Sequence, residues 1–221
     1  MRIFKFGGAS VKDAKGVKNL LDIVRHATDD LVVVISAMGK TTNALERIVD
    51  AILQGDKQAV TGRWKELLAY HEQIAADLGV KVQEVVADDV LGAVLAHRNA
   101  KDTAYDDLYD TIVSVGELMS TSIIAAYMNK EGISAQLWNM PQLLITDSSF
   151  REAVVNMQAS AMQVQQAWHD PYRPRVVVAQ GFIGGTQTGH RTTLGREGSD
   201  YTAALIANFL DAESVTIWKD D

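Results

Sequence analysis

A lysine and two glycines stand at the end of the first apolar stretch of the chain. Ile3 to Phe6 predicts a strand, Gly7 and Gly8 predict a tight turn, and Ser10 could cap the helix that follows. Glycines let backbone N–H groups approach an anion closely, and a helix N-terminus adds the positive end of a dipole. Lys5 could then reach the outer phosphates of a nucleotide. The same residues also suit an ordinary strand-to-helix turn, and the chain contains no G-x-x-x-x-G-K-[ST] motif.

A second cluster of polar residues precedes a predicted helix near the end of the chain. Residues 194–201 combine an arginine, two glycines, a serine and an aspartate. Arg196 offers a planar fork that matches a carboxylate or a phosphate. Ser199 and Asp200 could each simply cap the helix, and taken singly each fits a cap better. The density of the cluster nevertheless favours a binding site.

One carboxylate, Glu117, lies inside an otherwise apolar segment. Its neighbours have the spacing of a buried helix face: Ile112, Val113, Val115, Leu118 and Met119. A lone acid in such a place is costly unless it is paired, so Glu117 could receive an ammonium group from a ligand. The alternative, which the pattern alone favours slightly, is a helix residue that faces solvent.

Composition narrows the class of protein. The chain has 221 residues, of which 47% are hydrophobic, enough for one large domain or two small ones. A net charge of -7 argues against nucleic acid or an anionic membrane as the main partner. The absence of cysteine excludes disulfides, thiolate metal sites and cysteine nucleophiles. The unbroken apolar runs, such as Leu31 to Ile35, are too short to predict a transmembrane helix, and we expect a cytoplasmic protein.

Predicted strands alternate with predicted helices along the chain. Strands are expected at 3–6, 31–35, 133–137, 175–179 and 214–218, and helices at 43–54, over most of 57–128, and at 152–168 and 199–210. This alternation predicts an α/β fold with a central, mainly parallel sheet that helices cover on both faces. Small or glycine-rich loops follow Phe6, Ile35 and Ala179. Because ligands bind outside the carboxyl ends of such strands, these loops indicate the site.

The clusters, taken together and in order, resemble the aspartate kinases of the amino acid kinase family. The matching strings are Lys5–Ser10, Ser36–Asn43, Val115–Thr121, Gln180–Gly184 and Thr193–Thr202. The resemblance spans nearly the whole chain and implies a three-layer α/β/α sandwich. It also implies ATP, Mg²⁺ and L-aspartate as ligands. The product would be 4-phospho-L-aspartate, at the start of the pathway to lysine, threonine and methionine.

The resemblance assigns a role to each cluster. Lys5, which contacts the transferring phosphate in the family, and Asp200, which organises the transfer site, are implied to be catalytic. Implied substrate-binding residues are Thr42, Glu117, Arg196 and Ser199. Implied nucleotide-binding residues are Lys5, Gly7, Gly8, Ser10, Ser36, Gly184, Lys219 and Asp220. No residue is assigned as a direct metal ligand.

The sequence departs from the family pattern in three ways. Ala9 stands where many members have threonine, and Glu197 where many have glycine. Family members also continue beyond the last predicted strand, most of them into regulatory domains. We therefore expect residues 1–221 to be a catalytic domain truncated at its C-terminal end, without regulatory domains, from a longer protein that forms a homodimer.

Two other functions remain open on the sequence alone. The chain could be a non-catalytic fragment that binds an amino acid or a nucleotide without turnover. It could also be a sister kinase that acts on another carboxylate or phosphate substrate.

Overall fold

The computed structural model describes residues 1–82 and 105–219. Its strands are β1 (Arg2–Phe6), β2 (Leu31–Ile35), β3 (Ala135–Trp138), β4 (Ile145–Thr146), β5 (Val176–Gln180), β6 (Ile183–Thr186), β7 (Arg191–Thr193) and β8 (Ser214–Trp218). Its helices are α1 (Ala14–His26), α2 (Thr41–Leu53), α3 (Lys57–Leu78), α4 (Tyr105–Val113), α5 (Val115–Lys130), α6 (Met140–Leu143), α7 (Met157–Trp168) and α8 (Gly198–Leu210). A short 3-10 helix covers Gly8–Val11.

The main sheet has five parallel strands in the order β3-β5-β2-β1-β8. Its register pairs Phe6 with Ile35 and with Trp218, and Ile35 with Gln180. The last residues of four strands therefore lie side by side. The loops that follow these strands open at one edge of the sheet, as expected for a ligand site in a parallel sheet.

Apolar side chains of β2 alternate between two cores. Val33 packs in a cluster with α1, α3 and α5, whereas Val32 and Val34 pack in a second cluster with α7 and α8. All five residues of β2 are fully buried, as expected for a central parallel strand covered on both faces. The predicted three-layer α/β/α arrangement is confirmed. A third cluster joins α2, α3, α4 and the start of α5 beside the site.

A smaller mixed sheet, not anticipated from the sequence, lies beside the main one. Its order is β4-β6-β7, with β4 and β6 parallel and β6 and β7 antiparallel. A Cβ at Gly184 would lie 2.7 Å from the Leu144 carbonyl oxygen. Glycine there is explained by close packing within this sheet.

Two predicted helix starts are wrong. Asp13, not Ser10, caps α1, because its carboxylate accepts a hydrogen bond of 2.8 Å from the Gly16 N–H. The helix expected from residue 152 begins at Met157 instead. Asn156 caps it, and the segment before it pairs as extended chain, with the Ala153 N–H donating to the Thr193 carbonyl.

The helical stretch Tyr105–Lys130 is long and apolar enough to cross a membrane by length and composition. Its most apolar window is 83% buried inside the protein, which is the environment of a core helix. The prediction that the chain has no helix able to span a membrane considered only unbroken apolar runs, and it therefore overlooked this stretch. Residues 57–82 and 105–128 are mostly helical, as predicted, and the rest of that region lies outside the described residues.

Candidate active site

Three charged residues from three elements meet at the carboxyl edge of the sheet. The Lys5 Nζ lies 2.7 Å from Oδ1 of Asp200, and the Lys219 Nζ lies 3.8 Å from Oδ2 of the same carboxylate. Lys5 is buried on β1, Asp200 stands in the first turn of α8, and Lys219 follows β8. The group carries a net charge of one positive unit and opens to a cavity, so it suits an anionic ligand.

Glycine allows the first two loops to touch. A Cβ at Gly8 would lie only 2.7 Å from the carbonyl oxygen of Ala37, and the Gly39 N–H donates to the Gly8 carbonyl at 2.9 Å. Any larger residue at position 8 would separate the two loops. The packing of the two loops therefore requires glycine at position 8, and the glycine pair as a whole suits an anion.

The second polar cluster meets the second loop through a pair of serines. Ser36 Oγ donates to Ser199 Oγ at 2.9 Å, and a Cβ at Gly181 would lie 2.7 Å from the Ser199 side chain. Neither Ser199 nor Asp200 caps α8, because Glu197 holds the capping position in a left-handed conformation with φ of 57°. The capping interpretation of Ser199 and Asp200 is therefore wrong.

Glu117 is buried, which overturns the expectation that it faces solvent. It is 2% exposed in the first turn of α5, and its Oε1 accepts a hydrogen bond of 3.0 Å from the Ala37 N–H. Among the described residues its Oε2 has no hydrogen-bond partner. Burial raises the pKa of Glu117 to about 8, although the bond from Ala37 opposes the change. A cation from a ligand would satisfy this carboxylate.

These groups line one cavity of about 390 Å³. The predicted site residues in its wall are Lys5, Gly8, Ser36, Thr42, Glu117, Ser199, Asp200 and Lys219. The cavity therefore places a phosphate-suited cationic end and a buried acid within one small space.

Arg196 does not line that cavity. It lines an adjoining space of about 780 Å³, which shares Thr42, Phe182 and Gly195 with the first. Within the described part of the chain the Arg196 side chain makes no hydrogen bond or ion pair, so its guanidinium is free to bind a ligand at the junction. Of the residues that the resemblance assigns to the ligands, Lys5 and Glu117 share the first cavity, whereas Arg196 lies in the neighbouring space.

Three further predicted residues of the described chain do not line the cavity. Gly7 lies beside it, since a Cβ there would be 3.7 Å from the Lys5 Nζ, and Ser10 Oγ donates to the Trp218 carbonyl at 3.4 Å. Gly184 lies in β6 and is not among the lining residues. Asp220 lies outside the described residues.

Sequence reasoning missed several residues of the two walls. Phe182 lines both spaces with φ of 71°, and its N–H donates to Thr202 Oγ1 at 3.0 Å. Arg151, also at positive φ, lines the second space. The glycines around Phe182 were a usable signal for its turn, whereas nothing in the sequence marks Arg151.

Both cavities lie at the carboxyl ends of the parallel strands of an α/β protein, where small molecules bind in such folds. One end of the site offers cations and the other a buried carboxylate, so an anion and an ammonium group can be held together. The chain belongs to the amino acid kinase family, whose family model matches residues 1–221.

Relatives within the family are aspartokinases. The chain is 33% identical over 224 residues to lysine-sensitive aspartokinase 3 of Escherichia coli K12, covering 99% of this chain and 48% of that protein. It is 32% identical over 236 residues to chloroplastic aspartokinase 1 of Arabidopsis thaliana, covering 99% of this chain and 40% of that protein. The chain thus spans about half the length of such relatives.

Solved structures agree with the fold. E. coli aspartokinase III, solved with aspartate and ADP in an R-state, is similar with a TM-score of 0.86 and 28% identity over all of this chain and 49% of that one. The same enzyme with lysine and aspartate in a T-state gives the same values. The predicted fold class and the resemblance to aspartate kinases are therefore confirmed.

Proposed function

We propose that this chain carries the site of an aspartate kinase, which transfers the γ-phosphoryl group of ATP to the side-chain carboxylate of L-aspartate. The product is 4-phospho-L-aspartate, in the cytoplasmic pathway to lysine, threonine and methionine. The observation that carries the proposal is the buried, half-paired Glu117 in the same cavity as the Lys5–Asp200–Lys219 group. The named relatives, including one solved with aspartate and ADP, support this choice of ligands.

The chemistry requires charge neutralisation rather than a base. An aspartate side chain has a reference pKa of about 4 and is already a nucleophile at neutral pH. The obstacle is repulsion between this carboxylate and the phosphates of the nucleotide. Catalysis then consists of positioning the two reactants and stabilising the negative charge of the transition state. Lys5 and Lys219 supply the positive charge at the sheet edge.

The amino acid is held by two groups of opposite sign. Glu117 accepts the α-ammonium at its free Oε2, and Arg196 reaches the α-carboxylate from the adjoining space. Thr42 lines both spaces and lies between them, and Ser199 faces the first one. Because an ammonium favours the ionised form of Glu117, binding should release the proton that burial retains on it.

The nucleotide belongs at the cationic end, with its phosphates near Lys5, Gly8 and Ser36. Bound Mg²⁺ would supply further positive charge at this end of the cavity. It needs only one or two protein carboxylates beside phosphate oxygens, and Asp200 at the cavity wall fits that requirement.

We further propose that residues 1–221 form part of the catalytic domain of a longer, homodimeric protein. The longer protein is supported by the length of the relatives, of which the chain matches about half, and the homodimer rests on the resemblance to the family alone.

Trapping the product with hydroxylamine tests the proposed reaction, because an acyl phosphate reacts with it to give a hydroxamate. The chain is incubated with ATP, Mg²⁺ and either aspartate, glutamate, acetylglutamate or UMP, and ADP is measured in parallel. We expect hydroxamate and ADP in equal amounts with aspartate. ADP release that does not depend on aspartate, or product from another substrate alone, would contradict the proposal.

A further inference from the structure

A second buried carboxylate, Asp110, lies behind the wall that carries Arg196. It stands on α4, is fully buried, and lines neither cavity. Its Oδ2 accepts hydrogen bonds from the backbone N–H of Thr193 at 2.8 Å and of Arg151 at 2.9 Å. Its Oδ1 accepts from the Thr193 hydroxyl at 2.7 Å. One side chain thus holds two separate segments of the chain.

Both segments form the wall of the space that Arg196 enters. Thr193 ends β7, three residues before Arg196, and Arg151 lines the wall directly. The two segments also touch each other. The Ala153 N–H donates to the Thr193 carbonyl at 3.0 Å, and a Cβ at Gly195 would lie 3.2 Å from the Arg151 carbonyl oxygen.

The Arg196 side chain itself has no partner in the described structure that would fix it. Its position therefore depends on the backbone of the turn that carries it. That turn includes Gly195 at φ of 78° and is tied on one side to Phe182, whose carbonyl accepts from the Leu194 N–H at 2.9 Å. The other tie runs through Thr193 to Asp110.

Two aromatic rings contact the side chain of Arg151. The Arg151 guanidinium lies 4.6 Å from the ring centre of Tyr109 and 5.3 Å from that of Tyr105, and it pairs with Asp106 at 3.3 Å. The pair with Asp106 is exposed, and all three contacts hold only the side chain. The backbone of Arg151, in its left-handed conformation, is held by Asp110.

We propose that Asp110 is a positioning residue that fixes the turn bearing Arg196 and the Arg151 segment as the amino-acid-binding wall of the site. The inference rests on the proposed function, because Arg196 is taken to bind the α-carboxylate. Asp110 touches no substrate and takes no part in phosphoryl transfer. Burial raises the pKa of Asp110 to about 6, so at neutral pH and above its carboxylate is mostly ionised and accepts all three bonds.

The test compares KM for aspartate, KM for ATP and kcat in Asp110→Ala and Asp110→Asn. The alanine variant should raise KM for aspartate at least about 10-fold, with KM for ATP within about 2-fold, since only the amino-acid wall loosens. The asparagine variant should restore KM for aspartate to within about 3-fold of the parent. Its amide oxygen can accept both backbone N–H groups, and its NH₂ can donate to the Thr193 hydroxyl.

Two further variants keep the result interpretable. Val164→Ala removes a fully buried side chain from α7, which lines neither cavity, and it reports the effect of general destabilisation. Thr193→Val removes a single bond to Asp110 and should raise KM for aspartate by a smaller factor than Asp110→Ala, which provides a test even where the alanine variant does not fold.

The proposal is overturned if Asp110→Ala leaves KM for aspartate at the value of Val164→Ala. Where Asp110→Ala does not fold, the same result for Thr193→Val overturns it. An equal rise of KM for aspartate and KM for ATP would also overturn it. If the parent chain turns over aspartate and these variants do not change KM for aspartate, only this inference is contradicted. A parent chain that forms no hydroxamate contradicts the proposed function, and the inference with it.

Discussion

Replacing Glu117 by glutamine should make the ligand-free protein more stable at neutral pH. Burial raises the pKa of this side chain from 4.5 to about 8. In the unfolded chain the group loses its proton near pH 4.5, whereas in the folded protein it keeps the proton until about pH 8. The folded state therefore binds more protons between these values, and its free energy of unfolding falls as pH rises through that window.

The size of the effect follows from the pKa difference. Each pKa unit corresponds to about 1.36 kcal/mol, so the full loss above pH 8 is about 5 kcal/mol. Between pH 5 and pH 7 alone the loss is roughly 2 to 3 kcal/mol. Glutamine does not titrate and keeps an oxygen for the Ala37 N–H, so the variant should escape this loss.

Urea unfolding at pH 5 and pH 7 measures the difference. The stability gap between Glu117→Gln and the parent should widen in favour of the variant by roughly 2 to 3 kcal/mol from pH 5 to pH 7. Any constant cost of the buried amide cancels in this comparison. If the difference in free energy of unfolding between the variant and the parent stays constant with pH, Glu117 does not destabilise the ligand-free protein in this way.

Three other substitutions test separate parts of the site. Lys5→Met keeps the apolar stem but removes the charge beside Asp200, and kcat should fall about 100- to 1,000-fold while circular dichroism stays unchanged; a near-normal kcat would refute the role. Arg196→Ala should raise KM for aspartate about 10- to 150-fold through the loss of a charged hydrogen bond, and an unchanged KM would exclude Arg196 from the substrate site. Glu197→Gly should stabilise the protein by roughly 0.5 to 1 kcal/mol in urea unfolding, because φ of 57° strains a residue with a Cβ. Glu197→Ala retains that strain and should show no such gain.

The middle of the central sheet was predictable because two of its strands are nearly continuous β-branched runs. β2 and β5 read as buried parallel strands from Leu31–Ile35 and Val176–Val178, and they form the middle of the sheet. The small mixed sheet was not predictable. β4 has two residues and β6 is rich in glycine, so neither shows a periodic pattern, and both are held by contacts with distant segments.

The residues of the site were likewise predictable only in part. Lys5, Glu117 and Asp200 could be named because charged residues beside glycines or within apolar runs stand out in a sequence. Their partners could not, since the Lys5–Asp200 pair and the Glu117–Ala37 bond join residues 195 and 80 positions apart. The burial of Glu117 was misjudged for a related reason. α5 is apolar on nearly every side, and helical periodicity then no longer indicates which face is exposed.

The proton balance of aspartate binding tests the central claim most directly. Aspartate is titrated into the chain by calorimetry at pH 7, in buffers with different ionisation enthalpies. With a pKa of about 8, Glu117 is mostly protonated before binding, so its pairing with an ammonium should release about 0.9 of a proton per aspartate bound. The Glu117→Gln variant should release none. Binding without proton release, or equal release from the variant, would show that aspartate does not place its ammonium group on Glu117.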